Sequence, residues 1–255
     1  MNPVDAGHFT SFQLRDSAVQ GRDMHLVRLV VGSRELYGSS PARERILRMI
    51  RGALLAGDAA LREACTVRVR VHPPHAGYRG DHIPAGHDDP ALRVEVELEP
   101  SRRPPAEALR VRSHVGLRQA PGVKHLALDF QHEARRTARE AGFDDALLLA
   151  PDGCISEGTF WNVVFRDGTG WVWPAAPALA GVTRSIMQME MDRRGVVRRD
   201  APVGLADLGA MRAAFAINST GVAGLAGVDD HRFPGDPAAA ATLRDLLAAV
   251  PWDPL

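Results

Sequence analysis

The run V-R-V-R-V at 67–71 alternates apolar and basic residues, so a strand over 65–72 has one apolar and one basic face. Strands are also predicted over 8–15 and 92–99, with two helices between the first of them and 65–72. The second helix opens with Ser40 as N-cap and Pro41 at the first helical position. Its Ile46, Leu47, Ile50 and Leu54 recur at helical spacing and form the face that packs on the sheet. Residues 73–90 are rich in Pro, Gly, His and Asp without a period, which predicts a long surface loop of mobile composition.

After a strand through A-L-R-V-R-S-H, the segment G-L-R-Q-A-P-G carries turn residues between two apolar runs. The lobe boundary is placed there, giving a small N-terminal α/β lobe over 1–118 and a larger lobe over 119–255. In the second lobe a helix is predicted over 130–141 and strands over 146–150, 161–166 and 171–173, joined by tight turns at 151–153 and 167–170. A helix over 182–194 ends at Gly195, a C-cap signal; strands follow over 196–199, 213–217 and 222–228, and a helix over 237–249 closes the chain. Strands and helices mix without a regular βαβ repeat, and neither G-x-G-x-x-G nor G-x-x-x-x-G-K occurs. The expected fold class is mixed α/β, two-lobed, and not a nucleotide-binding fold.

Composition narrows the partners. The chain has 255 residues, 45% of them hydrophobic, with 31 basic and 31 acidic residues and no basic block. Nucleic-acid and membrane surfaces are therefore not expected, and a small-molecule partner is. The N-terminus lacks a basic n-region and an apolar h-region, and no apolar stretch reaches the ~18 residues of a membrane helix, so a cytoplasmic protein is expected. Cys65 and Cys154 have apolar neighbours and read as two reduced, buried thiols. His72, His75, His82 and His87 are spaced three, seven and five apart, which fits no zinc template, so no metal site is assigned. No G-x-S-x-G elbow occurs, and Ser219 has no recognisable histidine and acid partners, which disfavours a hydrolase.

One pair of residues carries chemistry. Lys124 opens the apolar stretch K-H-L-A-L-D-F, and 33 residues later Glu157 opens E-G-T-F-W-N, directly after a hydrophobic strand and a D-G turn. Pyridoxal phosphate needs an amine to hold its aldehyde as a Schiff base and a carboxylate to keep its ring nitrogen protonated. The chain offers a candidate for each.

The order of motifs resembles the class IV aminotransferases, the fold-type IV pyridoxal phosphate enzymes. The resemblance rests on H-L-V-R-L at 25–29, V-R-V-R-V at 67–71, K-H-L at 124–126, the block E-A-G-F-D-D-A-L-L-L-A-P-D-G-C-I-S-E-G-T-F-W-N at 140–162, A-G-V-T-R at 180–184 and F-A-I-N-S-T-G at 215–221. It implies pyridoxal 5'-phosphate as cofactor, Lys124 as Schiff-base lysine and proton carrier, and Glu157 against the pyridine nitrogen, with Asn162 supporting that carboxylate or the strand geometry. Phosphate binding would come from Arg28, the backbone amides of Val182 and Thr183 at a helix start, and the Asn218-Ser219 turn. Arg68 falls where the resemblance places an arginine near the substrate end, suited to a substrate carboxylate; Arg70 lies on the same face. A homodimer is implied as well.

The chain departs from the family pattern in two places. Many members carry a tyrosine shortly after the lysine, where this chain has Ala127, Leu128, Asp129 and Phe130, and the first strand, G-H-F-T-S-F-Q-L-R, lacks the usual acidic-aromatic pattern. The resemblance implies an aminotransferase acting on an amino acid and a 2-oxo acid. The K-H-L start resembles the aminodeoxychorismate lyase branch, which forms 4-aminobenzoate, and the departures leave a non-catalytic cofactor-binding homologue as a third reading.

Overall fold

The computed structural model describes residues 2–255. In chain order the elements are α1 (Pro3–Ala6), β1 (His8–Arg15), β2 (Ala18–Gln20), α2 (Arg22–Tyr37), α3 (Arg43–Ala56), α4 (Ala59–Glu63), β3 (Ala64–His72), β4 (Arg93–Pro100) and β5 (Leu109–Val115). There follow α5 (Asp129–Glu140), β6 (Asp145–Leu149), β7 (Ile155–Gly158), β8 (Asn162–Arg166), β9 (Trp171–Pro174), α6 (Val182–Arg193) and β10 (Arg198–Ala201). After a 3-10 turn at Leu205–Ala210 come β11 (Ala213–Asn218), β12 (Gly221–Val228), β13 (His231–Arg232), α7 (Pro237–Ala248) and β14 (Trp252–Pro254). Among the described residues no helix is long and apolar enough to cross a membrane.

Two compact units form, and their division differs from the expected one. The first unit holds the chain through Arg102, Gly122–Leu128 and Pro251–Leu255; the second holds Arg103–Pro121 and Asp129–Val250. The strand A-L-R-V-R-S-H is β5, and it pairs in parallel with β6 and β12 of the second unit rather than with the first sheet. The short segment carrying Lys124 belongs to the first unit. Strand propensity is local, whereas choice of sheet is set by partners more than 30 residues away, which no local pattern encodes.

In the first unit five strands pair antiparallel in the order β14-β2-β1-β3-β4. Register matches Thr10 with Val69 and Phe12 with Val67, so one face is apolar, and Leu26, Leu29, Ile46, Ile50 and Leu54 of α2 and α3 close it. The opposite face carries Phe9 and Ser11 of β1 opposite Arg70 and Arg68 of β3, which in turn face Glu95 and Glu97 of β4.

The long loop is tethered. Asp89 is buried, accepting from the Tyr78 hydroxyl (2.7 Å), the Ala91 N–H (3.0 Å) and the Ser39 hydroxyl. Asp88 pairs with Arg45 (3.0 Å) and accepts the Ala42 N–H (2.6 Å). That contact corrects the start of α3: its N-cap is Ala42 and the helix begins at Arg43, two residues later than Ser40 and Pro41 imply. A carboxylate from the loop, 46 residues away, holds the helix entry in place of a local cap. Cys65 is buried, as expected, but Cys154 is half-exposed.

The second unit is a mixed sheet in the order β10-β9-β8-β11-β12-β5-β6-β7, with β13 on β12. Both faces are covered, so its central strands read as continuous apolar runs. Val164, Phe215 and Ile217 face α6 and α7 through Met187, Met191 and Leu243, while Val163, Phe165 and Ala214 face Trp161, Val203 and Phe233. On β6, Ala146 and Leu148 pack against Ala134 and Ala138 of α5.

Two buried histidines make the first unit sensitive to acid. His8 hydrogen-bonds Ser33 (2.8 Å), and burial, with a smaller contribution from His72, drives its pKa down to about 3. Burial likewise drives His25 well below its ordinary 6.5, with Arg28 and Lys124 adding to the shift. Both stay neutral in the fold, whereas the unfolded chain protonates them below about 6.5. Their contribution is complete above that value. It falls as pH drops, by about 1.4 kcal/mol per pH unit for each group, until pH reaches about 3 for His8. Urea midpoints are expected to fall between pH 7 and pH 5, and His8→Gln should flatten that slope; equal midpoints at both pH values would contradict this.

Candidate active site

In the first unit, the segment around Lys124 extends the edge of β1. The Phe9 N–H donates to the Lys124 carbonyl (2.8 Å), the Leu126 N–H donates to the Gly7 carbonyl (2.8 Å), and His8 bridges His125. Antiparallel pairing sets Phe9 opposite Lys124, and the lysine Nζ stands 4.7 Å from the Phe9 ring centre, a cation–π contact. Next along β1, the Thr10 hydroxyl hydrogen-bonds His25 Nδ1 at 2.7 Å. His25 and Arg28 lie three apart on α2 and so share a face. The charges of Arg28 and Lys124 both act on the His25 imidazole, so this unit gathers the two predicted cations around one buried neutral histidine.

Arg68 is otherwise engaged. Its guanidinium meets Glu97 at 3.4 Å and Glu99 at 3.2 Å, with Arg70 on Glu97 at 2.5 Å. The β3–β4 register puts Arg68 directly opposite Glu97, so these residues form a cross-strand ladder of opposite charges. Arg68 also lies 6.0 Å from the Phe9 ring that Lys124 contacts.

The second unit builds its part of the site on β7 and β8. The turn joining them, residues 159–161, is held by one buried carboxylate. Asp145 accepts from the Thr159 hydroxyl (2.6 Å), the Trp161 indole N–H (2.9 Å) and the Arg135 guanidinium (2.5 and 3.1 Å). Phe160 lies between His132, at 5.1 Å between ring centres, and the Arg135 guanidinium, at 4.4 Å. Gly158 permits the turn: a side chain there would run into the Trp161 indole. The E-G-T-F-W-N motif thereby acquires one shape, with Glu157 before the turn and Asn162 after it.

Glu157 is buried and its carboxylate is well supplied with donors. Oε1 receives the Leu179 N–H at 3.2 Å and faces the buried Arg118 guanidinium at 4.0 Å; Oε2 receives the Asn162 amide at 3.4 Å. The same Asn162 amide donates to the Leu179 carbonyl at 2.8 Å. Asn162 also packs so closely on Gly181 that any side chain at 181 would collide with its amide oxygen.

Gly181 is the N-cap of α6 and supplies no side-chain cap, so Val182 and Thr183 begin a twelve-residue helix whose first-turn N–H groups face outward from its start. One asparagine thus ties the carboxylate to the helix start. Asn218 is placed nearby by its amide, which donates to the Phe160 carbonyl at 3.4 Å. Its Oδ1 accepts the Thr220 N–H (2.9 Å) and hydroxyl (2.7 Å), so the Asn218 side chain shapes the turn that carries Ser219.

Glu157, Asn162, Val182, Thr183 and the Asn218-Ser219 turn therefore come together in the second unit, and Arg28 and Lys124 come together in the first. Three side chains escaped the sequence reading. Arg118 sits in a segment that reads only as a turn. His25 lies in the H-L-V-R-L motif from which only the arginine was taken, and Asp145 is one of two adjacent aspartates with nothing local to separate them.

The chain matches the family model described as amino-transferase class IV over residues 7–228. The chain belongs to the class IV aminotransferase family. Enzymes of this family use pyridoxal phosphate, as transaminases or lyases. Solved structures share the fold at low identity. A branched-chain amino acid aminotransferase from Thermobaculum terrenum superposes with a TM-score of 0.82 at 17% identity, covering 97% of this chain and 85% of the other. A putative 4-amino-4-deoxychorismate lyase from Legionella pneumophila gives 0.81 at 18%, covering 97% and 92%. A hypothetical aminotransferase from Mycobacterium tuberculosis, in its pyridoxal phosphate-bound form, gives 0.79 at 20%, covering 96% and 89%. No curated protein matches the chain at a significant level. Family membership and fold match the expectation drawn from the motifs.

Proposed function

We propose that this class IV family member transfers an amino group from an amino acid to a 2-oxo acid, with Lys124 as covalent anchor and proton carrier. The observation that carries this reading is the link in the second unit from buried Glu157 through Asn162 to the start of α6. It sets an acceptor suited to a ring N–H at one end and outward N–H donors suited to a phosphate at the other. Bound there, pyridoxal phosphate would supply an aldehyde that captures primary amines and a ring that accepts electrons from the substrate Cα.

The chain's own residues supply the rest. Glu157, as an anion, holds the proton of the ring nitrogen. Val182 and Thr183 give backbone N–H groups to the phosphate, with Ser219 as a hydroxyl donor and Arg28 as a cation for it. Lys124 would hold the cofactor covalently and would carry the proton on and off the substrate Cα. Arg68 is assigned to the substrate carboxylate only on condition that its ladder with Glu97 and Glu99 opens.

The K-H-L likeness to the lyase branch has a packing explanation. His125 is buried and its backbone bridges His8, while in an extended segment it alternates away from Lys124. Phe130, in the region where many members carry a tyrosine, packs against Gly116 and His114 of its own unit. A side chain at Gly116 would sit 2.7 Å from that ring.

The test is product analysis. Protein with pyridoxal phosphate is incubated with single L- or D-amino acids and 2-oxoglutarate, and in parallel with aminodeoxychorismate. A new 2-oxo acid matching one donor is expected. Release of 4-aminobenzoate with no amino transfer would replace this reading by the lyase, and no turnover of either kind would leave a binding protein.

A further inference from the structure

The first unit carries a phenyl ring where its core does not need one. Phe9 lies on the charged face of β1, away from the apolar cluster under α2 and α3, and is nevertheless buried. Cations approach it there. The Lys124 Nζ stands 4.7 Å from the ring centre and the Arg68 guanidinium carbon 6.0 Å from it. Strand β1 is also one of the two places where the sequence departs from the family pattern.

The contact with Lys124 follows from register. The Phe9 N–H donates to the Lys124 carbonyl, and the adjacent His8 and His125 form a bridge, so Phe9 and Lys124 share one face while the two histidines point to the other. A ring face attracts an ammonium through its quadrupole and has no such attraction for a neutral amine. The cations on the neighbouring elements act in the opposite sense, since like charge disfavours an ammonium. On α2 this is Arg28, whose charge acts together with that of Lys124 on the neutral His25. On β3 these are Arg68, paired with Glu97 and Glu99, and Arg70, which lies opposite Phe9 and is paired with Glu97.

We propose that Phe9 is a positioning residue for Lys124: its ring holds the amine while it carries the proton taken from the substrate Cα, and so sets where that proton waits between removal and return. This rests on the reading of Lys124 as the proton carrier. In the transfer an N–H bond forms as the Cα–H bond breaks, the C–H electron pair stays with the substrate, and the ammonium so formed is the species that the ring attracts. An aliphatic side chain of similar size would fill the same space without that attraction.

The chain has a single lysine, so lysine isotope-labelled at Cε gives one side-chain signal, and its titration can be followed by NMR. The protein is loaded with pyridoxamine 5'-phosphate, which binds without a bond to Lys124. Wild type, Phe9→Leu and protein carrying increasingly fluorinated phenylalanine at this position are compared, with thermal melts to establish folding. Phe9→Leu is expected to lower the Lys124 titration midpoint by about half a pH unit. Fluorination, which drains charge from the ring face and keeps its shape, should lower the midpoint step by step. In amino transfer kcat should fall about two- to fivefold with KM unchanged. If Phe9→Leu does not fold, the fluorinated series carries the test. A midpoint that fluorination leaves in place would overturn the proposal, as would a lowered midpoint with unchanged kcat. Amino transfer by Lys124→Ala at the wild-type rate would instead refute the reading of Lys124 itself, and the Phe9 proposal with it.

Discussion

Lys124→Ala is expected to lower turnover by a factor on the order of 10^4, the upper range for a positioned acid–base group, because the same amine is also the covalent anchor. The fold should survive. The Lys124 Nζ has a cation–π contact with Phe9, and such a contact at an accessible site is worth about 0.5–1 kcal/mol. The backbone pairing that places the segment, from Phe9 and Leu126, does not involve the side chain. Activity loss without a matching fall in the urea midpoint is therefore the signature of a chemical role. Lys124→Arg should not rescue, since a guanidinium keeps its proton at any working pH and cannot serve as a base. Steady-state rates and denaturation curves on the three proteins decide it; activity in Lys124→Ala within tenfold of wild type would remove the lysine from the mechanism.

Asp145→Ala is expected to lower stability by about 3 kcal/mol, since it takes the buried acceptor away from two buried donors and from the part-exposed Arg135 guanidinium. Its carboxylate is the common acceptor for Thr159, Trp161 and Arg135. Removing it leaves an indole N–H and a hydroxyl unsatisfied in the interior and strands part of the Arg135 charge. Asp145→Asn keeps the shape but presents an amide N–H to groups that are all donors, so it should recover little. Because the 159–161 turn fixes both Glu157 and Asn162, cofactor affinity should fall along with stability. Urea denaturation measures the first effect; a loss under 1 kcal/mol would show that the turn holds itself.

Much of this was legible in the chain, and what was not has physical causes. The alternation in V-R-V-R-V and the spacing of Ile46, Ile50 and Leu54 report faces, and those faces are buried as read. The E-G-T-F-W-N block was legible because its residues act on one another over a few positions: Gly158 makes room for Trp161, and Asn162 meets Glu157. Arg118 was invisible because its partner lies 39 positions away across an unpatterned loop. The entry of α3 was misread for the same reason, its cap coming from Asp88. The lobe boundary failed at β5, which is an evident strand whose sheet depends on β6 and β12.

The chemistry turns on where the cofactor attaches. The most direct measurement is borohydride reduction of protein loaded with pyridoxal phosphate, followed by peptide mapping. Stable modification confined to Lys124, and absent from Lys124→Ala, is the expected result. Lys124 is the chain's single lysine, so modification at the N-terminal amine instead, or none at all, would contradict it.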